Sequence, residues 1–234
     1  DNTVLTIVGD LDPEGAFSII KKYFERIPRQ ILPPPLRTQE PEQLGERRIQ
    51  VVADANPQMI IGFHKPNPPH GDDVVCDMIE DLLSSGRTSR FYQRLVEEEK
   101  IAVEVSASNS FPGERYPNLF VIFATPRHPH TSEELENAIF RELDRLKNEP
   151  VAELELKKVQ NQIQMSLLRK LNSNSKLAYW LSHGQSLWGD WRYFTERLQA
   201  YEKVSAEDIR RVAQKYFTPR NRTVATLVKS TPSP

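Results

Sequence analysis

An α+β fold, with a mostly antiparallel sheet and helices packed on one face, is predicted by three features of the sequence. Strand-like runs come in adjacent pairs, RRIQVVAD with QMIIGFHK and AVEVSASNSF with NLFVIFATP, each pair joined by a short turn-forming stretch. Helical periodicity follows each pair rather than alternating with single strands. A long helical stretch from about 152 to 216 then ends in one more strand-like run, NRTVATLV.

Residues 2–10, NTVLTIVGD, form a β-branched run and are expected to be a strand. Asp12 is a good N-cap and Pro13 suits the first helical position. Phe17, Ile20 and Phe24 recur at helical spacing, which predicts a helix with one buried face. The proline-rich, aperiodic stretch 28–46, PRQILPPPLRTQEPEQLGE, has the composition of a stiff extended linker. After the first strand pair, a helix is expected from about Asp72 to Leu83, broken by SSGR. Thr88 or Ser89 is placed to cap the next helix, SRFYQRLVEEEK. AVEVSASNSF alternates as a half-buried strand should, and PGERYP turns the chain into the apolar NLFVIFATP. Thr131 and Glu134 have capping-box spacing ahead of SEELENAIFRELDRLKNE. Helices are expected over 152–171, 176–187 and DWRYFTERLQAYEKV, and Ser205 with Asp208 opens AEDIRRVAQKYF.

The 234 residues suit one large domain, or one domain with a fragment of another. A net charge of −1 supplies no field that would attract nucleic acid or an anionic membrane. No run approaches the ~18 apolar residues of a membrane span. Cys76 is the only cysteine, so an intramolecular disulfide and a thiolate-rich metal site are excluded. It lies near Val75, Met78, Ile79 and Leu82 with no histidine placed to activate it, and reads as a core thiol.

No complete active site is legible. No helix carries two histidines at i and i+4, and His128 and His130 in RHPHTSEE alternate in a loop with no third ligand marked. SSGRTS offers hydroxyls without a base, and a cap-and-turn role suits it better than catalysis. GRTSRFYQR sets arginines near a helix start but lacks the glycines of a phosphate loop. Glu97, Glu98 and Glu99 are spread by a helix over roughly 200 degrees and cannot share one cleft. Trp180, Trp188 and Trp191 have no basic surround, so packing suits them better than base or sugar stacking.

The two ends repeat each other. DNTVLTIVGD at the start and RNRTVATLVKS at the end share Asn, then Thr-Val, then Thr and Val at alternate positions. The expectation is a chain that opens inside one domain and continues into a second of similar plan. Its parts are a tail over 1–27, a linker over 28–46 and a complete C-terminal domain over 47–234.

Three segments carry a family resemblance: VGDLDPEGAFSIIKKYFERIP, DMIEDLLSSGRTSRFYQRLVEEEKIAVEVSAS and KVSAEDIRRVAQKYFTPRNRTVATLV. Together they resemble the second, non-zinc half of the inverted zinc metallopeptidases, the family of pitrilysin, insulin-degrading enzyme and the mitochondrial processing peptidases. The resemblance implies that zinc, and the glutamate activating its bound water, belong to an N-terminal domain absent from these residues. No catalytic residue, metal ligand or cofactor is therefore expected in this chain. Active relatives add an Arg/Tyr pair to the substrate chamber, and those places fall on Val96 and Val103 here, both apolar. Arg94 is no easy substitute, Tyr92 lies about a turn before Val96, and Tyr116 belongs beyond the first strand of its pair.

Two functions follow from the resemblance. In one, the chain is the C-terminal half of a zinc metallopeptidase-like protein and helps enclose and bind peptide. In the other, it belongs to an inactive family member that serves as scaffold or partner subunit. The expected partners are a zinc-bearing N-terminal domain or a homologous subunit, a peptide substrate, and a second copy in a possible dimer. Nucleic acid and membrane are not expected partners, and the compartment stays open between cytoplasm and bacterial periplasm.

Overall fold

Five strands form one sheet in the computed structural model, which describes residues 3–229 apart from 33, 35, 38 and 39. β1 (Arg47–Ala53), β2 (Gln58–Lys65), β3 (Ala102–Phe111), β4 (Asn118–Pro126) and β5 (Arg222–Lys229) lie in the order β1-β5-β2-β4-β3. Only β1 and β5 pair in parallel; the other three ladders are antiparallel. The α-helices are α1 (Pro13–Phe24), α2 (Gly71–Ser84), α3 (Ser132–Asn148), α4 (Glu153–Lys170), α5 (Asn174–Trp188), α6 (Tyr193–Lys203) and α7 (Ala206–Tyr216), with a π-helix over Tyr92–Glu98. The α+β architecture is the one the sequence predicts.

Contacts divide the chain into two units: Asp1–Pro41 with Gln164–Glu196, and Glu42–Ile163 with Arg197–Pro234. The larger unit holds the whole sheet. Met59, Ile61 and Phe63 of β2 and Phe120 and Ile122 of β4 are fully buried. Phe217, just after α7, meets Phe63 edge-on at 5.1 Å and lies tilted against Phe120 at 5.0 Å, so α7 covers that face. α3 starts with the expected capping box, in which Thr131 Oγ1 accepts from Glu134 N at 3.1 Å and Thr131 N donates to the Glu134 carboxylate at 2.8 Å. Its buried residues Leu135, Ile139, Leu143 and Leu146 form one helical stripe, each stabilising by roughly 1.5–3 kcal/mol when taken from water.

The polar face of α2 is a second organising element. Asp73, fully buried, is ion-paired to Lys65 at the end of β2, and Arg197 of α6 donates to it at 2.8 Å. Asp77 accepts from Arg197, from the Tyr201 hydroxyl and, at 2.6 Å, from Asn109 Nδ2 of β3. The two carboxylates and two cations balance, as burial requires. Asp72 takes Arg211 at 2.8 Å, Lys215 at 2.9 Å and the Tyr216 hydroxyl at 2.7 Å. Burial works against the Asp72 carboxylate, but the bonds from Lys215, Tyr216 and Arg211 outweigh it and hold its pKa well below the usual range. Burial, then Asp77, raises the Tyr201 phenol well above its ordinary value. α2 thereby ties β2, β3, α6 and α7 together.

In the smaller unit the packing expected of the tryptophans holds only in part, with Trp180 and Trp188 half-buried and Arg192 over the Trp191 ring. Trp180 stacks on Phe194 at 5.4 Å, Trp188 meets Tyr193 at 4.2 Å, and Lys170 Nζ sits 4.1 Å above the Trp180 ring; Trp191 is exposed. A Cβ at Gly184 would lie 3.0 Å from the Asp190 carbonyl oxygen, so a side chain there would press the turn apart by a few tenths of an ångström.

Two expectations are corrected here. Residues 3–9 form no strand, because a β-branched run becomes one only against a ladder neighbour and these residues have none among the described residues. The matching run at the other end is β5, paired on both sides. α1 has its Asp12 cap and Pro13, but Phe17 and Phe24 are exposed and no residue of the helix is buried. Periodicity supplied an apolar stripe; burial needs a surface for it to meet.

Asp73→Ala should destabilise the chain by about 3–5 kcal/mol, because it strands Lys65 and Arg197 without their shared carboxylate. Urea unfolding followed by circular dichroism measures this. Glu80, whose carboxylate accepts from Asn109 N at 2.7 Å, gives a pH signature. Burial raises its pKa from 4.5 to about 7; the Asn109 bond and Lys65 oppose the rise, while Asp77 and Asp81 add to it. The folded state then binds the proton more tightly than the unfolded one, so stability is lost as pH rises from 4.5 to about 7. Glu80→Gln should remove that loss. Its stability relative to the parent should rise by on the order of 3 kcal/mol between pH 4.5 and 8. A constant difference across that range would refute the assignment.

Candidate functional site

The segment Ser84–Val105 joins α2 to β3 and is built from local irregularities. α2 ends at Ser84, and Gly86 takes φ +74°, a left-handed conformation that suits glycine. Ser89 is buried, and its hydroxyl donates back to the Gly86 carbonyl at 2.8 Å. Its own carbonyl accepts from Gln93 N at 3.0 Å, so it starts the helix through its backbone rather than its side chain. Arg90 grips Glu155 of α4 with two bonds, 2.9 and 2.7 Å, and Lys158 donates to the Thr88 carbonyl and hydroxyl. The Arg90 bonds hold the Glu155 carboxyl below its ordinary pKa.

The expected α-helix over this segment is a π-helix across Tyr92–Glu98, with Glu99 N donating to the carbonyl of Arg94 five residues back at 2.8 Å. Phe91 and Leu95 are fully buried and anchor it. Val96 is half-buried, while Glu97, Glu98 and Glu99 face solvent. Arg94 pairs with Glu98 at 2.8 Å and Arg141 with Glu99 at 2.9 Å, so these charges form an ion-paired helix end. Lys100 then adopts φ +56° without being glycine, and Ile101 N reaches back to the Leu95 carbonyl at 3.0 Å.

Val103 lies in a β-bulge. The register steps from Ala102↔Pro126 to Glu104↔Thr125, two residues against one, and Val103 is the extra residue, 56 % exposed. A second irregularity lies between Ser108 and Phe111, so β3 has an unbroken ladder only over Glu104–Ser108. Val96 thus sits in the π-helix and Val103 in the bulge. Sequence reasoning missed both irregularities.

The sheet face away from α7 is only partly covered. Register places Ile49, Ala225, Ile60, Phe123 and Ser106 in one row across all five strands, with Val51, Leu227 and Gln58 beside it. Ile49, Val51 and Ile60 are exposed. Cys76 is fully buried, and burial pushes its thiol pKa up, which suits a core thiol. His130 Nδ1 lies 3.3 Å from Glu134 at the start of α3, and among the described residues no three His, Cys, Asp or Glu side chains are grouped to hold a metal.

Comparison with known proteins places this architecture. The model of the peptidase M16 inactive domain matches residues 1–163, and the chain belongs to that family. It is 26 % identical over 221 residues to the zinc protease PqqE of Helicobacter pylori, covering 92 % of this chain and 49 % of that protein. A solved protease from Helicobacter pylori superposes with a TM-score of 0.85 at 25 % identity, over 94 % of this chain and 54 % of that one. A solved peptidase M16 inactive domain from Pseudomonas fluorescens superposes at 0.76 with 14 % identity, over 97 % of this chain and 53 % of that one. The chain therefore spans about half the length of these relatives.

Lys100→Gly should stabilise the protein by roughly 0.5–1 kcal/mol, because the left-handed conformation strains a side chain that glycine lacks. Thermal and denaturant unfolding should both shift upward; a loss of stability would mean that the lysine makes a compensating contact.

Proposed function

We propose that this chain is the non-catalytic C-terminal half of a zinc protease-like protein, paired with a zinc-bearing N-terminal half and closing over an extended peptide. Residues 1–27 are the tail of the preceding domain, 28–46 the linker and 47–234 the C-terminal domain. The observation that carries the pairing is the partly open sheet face, whose exposed Ile49, Val51 and Ile60 lie on a rigid surface in need of a cover. That the chain spans about half of each relative's length supports the same reading. Zinc and the water it activates belong to the other half, which supplies the hydrolytic chemistry.

A second reading has its own observation. Val96 and Val103 offer no hydrogen bond where the resemblance places a substrate-contacting Arg/Tyr pair, which favours an inactive scaffold or partner subunit.

Reconstitution separates the two. The zinc-bearing half of the parent is purified alone and with this chain, and zinc content and cleavage of an unstructured fluorogenic peptide are measured. Cleavage only when both are present is the expected result. A zinc-loaded complex that cleaves nothing would leave the scaffold reading. In an active complex, Val96→Arg with Val103→Tyr should raise kcat/KM several-fold, and no gain would undo the correspondence of those positions.

A further inference from the structure

The two edges of the sheet are protected unequally. A lone edge strand presents unpaired backbone groups, and stable monomers blunt it with bulges, proline, inward charges or brevity. The β3 edge is blunted by irregularities at Val103 and between Ser108 and Phe111, and by Glu104. β1 carries one of these, the inward charge Arg48 paired with Glu136 near its first end, and from Ile49 to Ala53 it has none. Its ladder with β5 runs unbroken from Arg47↔Thr223 to Ala53↔Lys229, it contains neither proline nor lysine, and its two arginines sit at one end. One face carries Ile49 and Val51, each 53 % exposed, and the other adds Val52, 63 % exposed, beside Arg48 and Gln50.

We infer that β1 is an interface for a second copy of this chain, the two β1 strands pairing antiparallel about a two-fold axis at Gln50 and joining the sheets edge to edge. The sequence of the strand selects this occupant and this register. With Gln50 opposite its own copy, all seven residues pair, since Gln50 is the midpoint of Arg47–Ala53. Ile49 then lies opposite the copy's Val51, twice, on the same face, which makes a favourable apolar pair. Arg47 and Arg48 of each copy lie beside the apolar end, Val52 and Ala53, of the other, so like charges are kept apart. The Arg48 guanidinium is already drawn aside by Glu46 and Glu136. Sliding the axis to Arg48 would set arginine against arginine and leave half the strand unpaired. An unrelated strand has no such matching to this pattern, whereas the strand matches itself. The inference shares Ile49 and Val51 with the proposed pairing face but rests on the backbone edge and register of β1, which the Gln50→Cys cross-link reads by itself.

The test uses the full 234-residue chain. Light scattering after size exclusion, from about 1 to 200 µM, should show the mass rising to twice that of one chain, in keeping with a small interface of modest affinity. Ile49→Lys with Val51→Lys should hold it monomeric with an unchanged circular dichroism spectrum. Register is read by cross-linking. In Gln50→Cys the two sulfurs meet at the axis with Cα atoms about 4.5–5.5 Å apart, within disulfide range, so mild oxidation should give a covalent dimer. In Arg47→Cys the two positions lie about 20 Å apart and should give none. The parent chain is its own control, because its one thiol, Cys76, is fully buried. A chain monomeric throughout that range overturns the inference. So does a dimer that survives the double lysine variant or that fails to cross-link through Gln50→Cys.

Discussion

The buried carboxylate of Asp73 is the constraint on which the larger unit depends. It lies where β2, α2 and α6 converge, and it is tolerable there only because Lys65 and Arg197 reach it from two other elements. Apolar contacts would let α6 slide along α2 at little cost. Arg197 Nη2 bridges Asp73 and Asp77 while its Nε donates to the Tyr201 hydroxyl, which in turn bonds Asp77, and this set of bonds permits one register. Asn109 extends the constraint to β3. Its amide nitrogen faces both carboxylates, so its oxygen must point away, and that oxygen is buried without a partner. The arrangement is better understood as specifying a packing than as adding net stability, since charges brought out of water return little beyond their desolvation cost.

Fixing α2 and β3 in this way leaves the segment between them a set span to cover. Gly86 turns it, Arg90 pins it to Glu155, and buried Phe91 and Leu95 hold its inner side. The remaining residues do not fit regular structure. One surplus residue is taken up by the wider turn of the π-helix and another by the bulge at Val103, with a left-handed lysine between them. Regular hydrogen bonding is therefore relaxed twice within one connection, at Val96 in the π-helix and at Val103 in the bulge.

How much of this was legible follows from the range of the interaction involved. The α3 capping box was readable because Thr131 and Glu134 are three residues apart and complete each other locally. The alternation of β3 and the apolar run of β4 were readable for the same reason. The π-helix was not, since seven residues are too few to separate its period from that of an α-helix. The Val103 bulge was hidden because AVEV still alternates by eye. Pairing between distant segments leaves no local mark, so neither the missing ladder partner of residues 3–9 among the described residues nor the parallel pairing of β1 with β5 was legible. The α2 network left one trace in the sequence: Asp72, Asp73, Asp77, Glu80 and Asp81 punctuate a helix otherwise rich in core-like residues, and buried acids of that kind require cations from elsewhere.

The same geometry limits how the domain could act on a peptide. Recognition by side-chain hydrogen bonds is unavailable at Val96 and Val103. Main-chain pairing along the β3 edge would be confined to the five residues Glu104–Ser108, because the register breaks on either side stop the ladder. Five residues of backbone pairing, with half-exposed serines and one glutamate on the adjoining face, discriminate weakly among sequences. In the proposed complex such a surface would contribute mainly by excluding water and limiting how far a chain can extend, which are properties of shape. Under the proposed pairing, strength of binding and choice of bond would rest with the zinc-bearing half, and the α2 cluster would hold the sheet it meets in one packing.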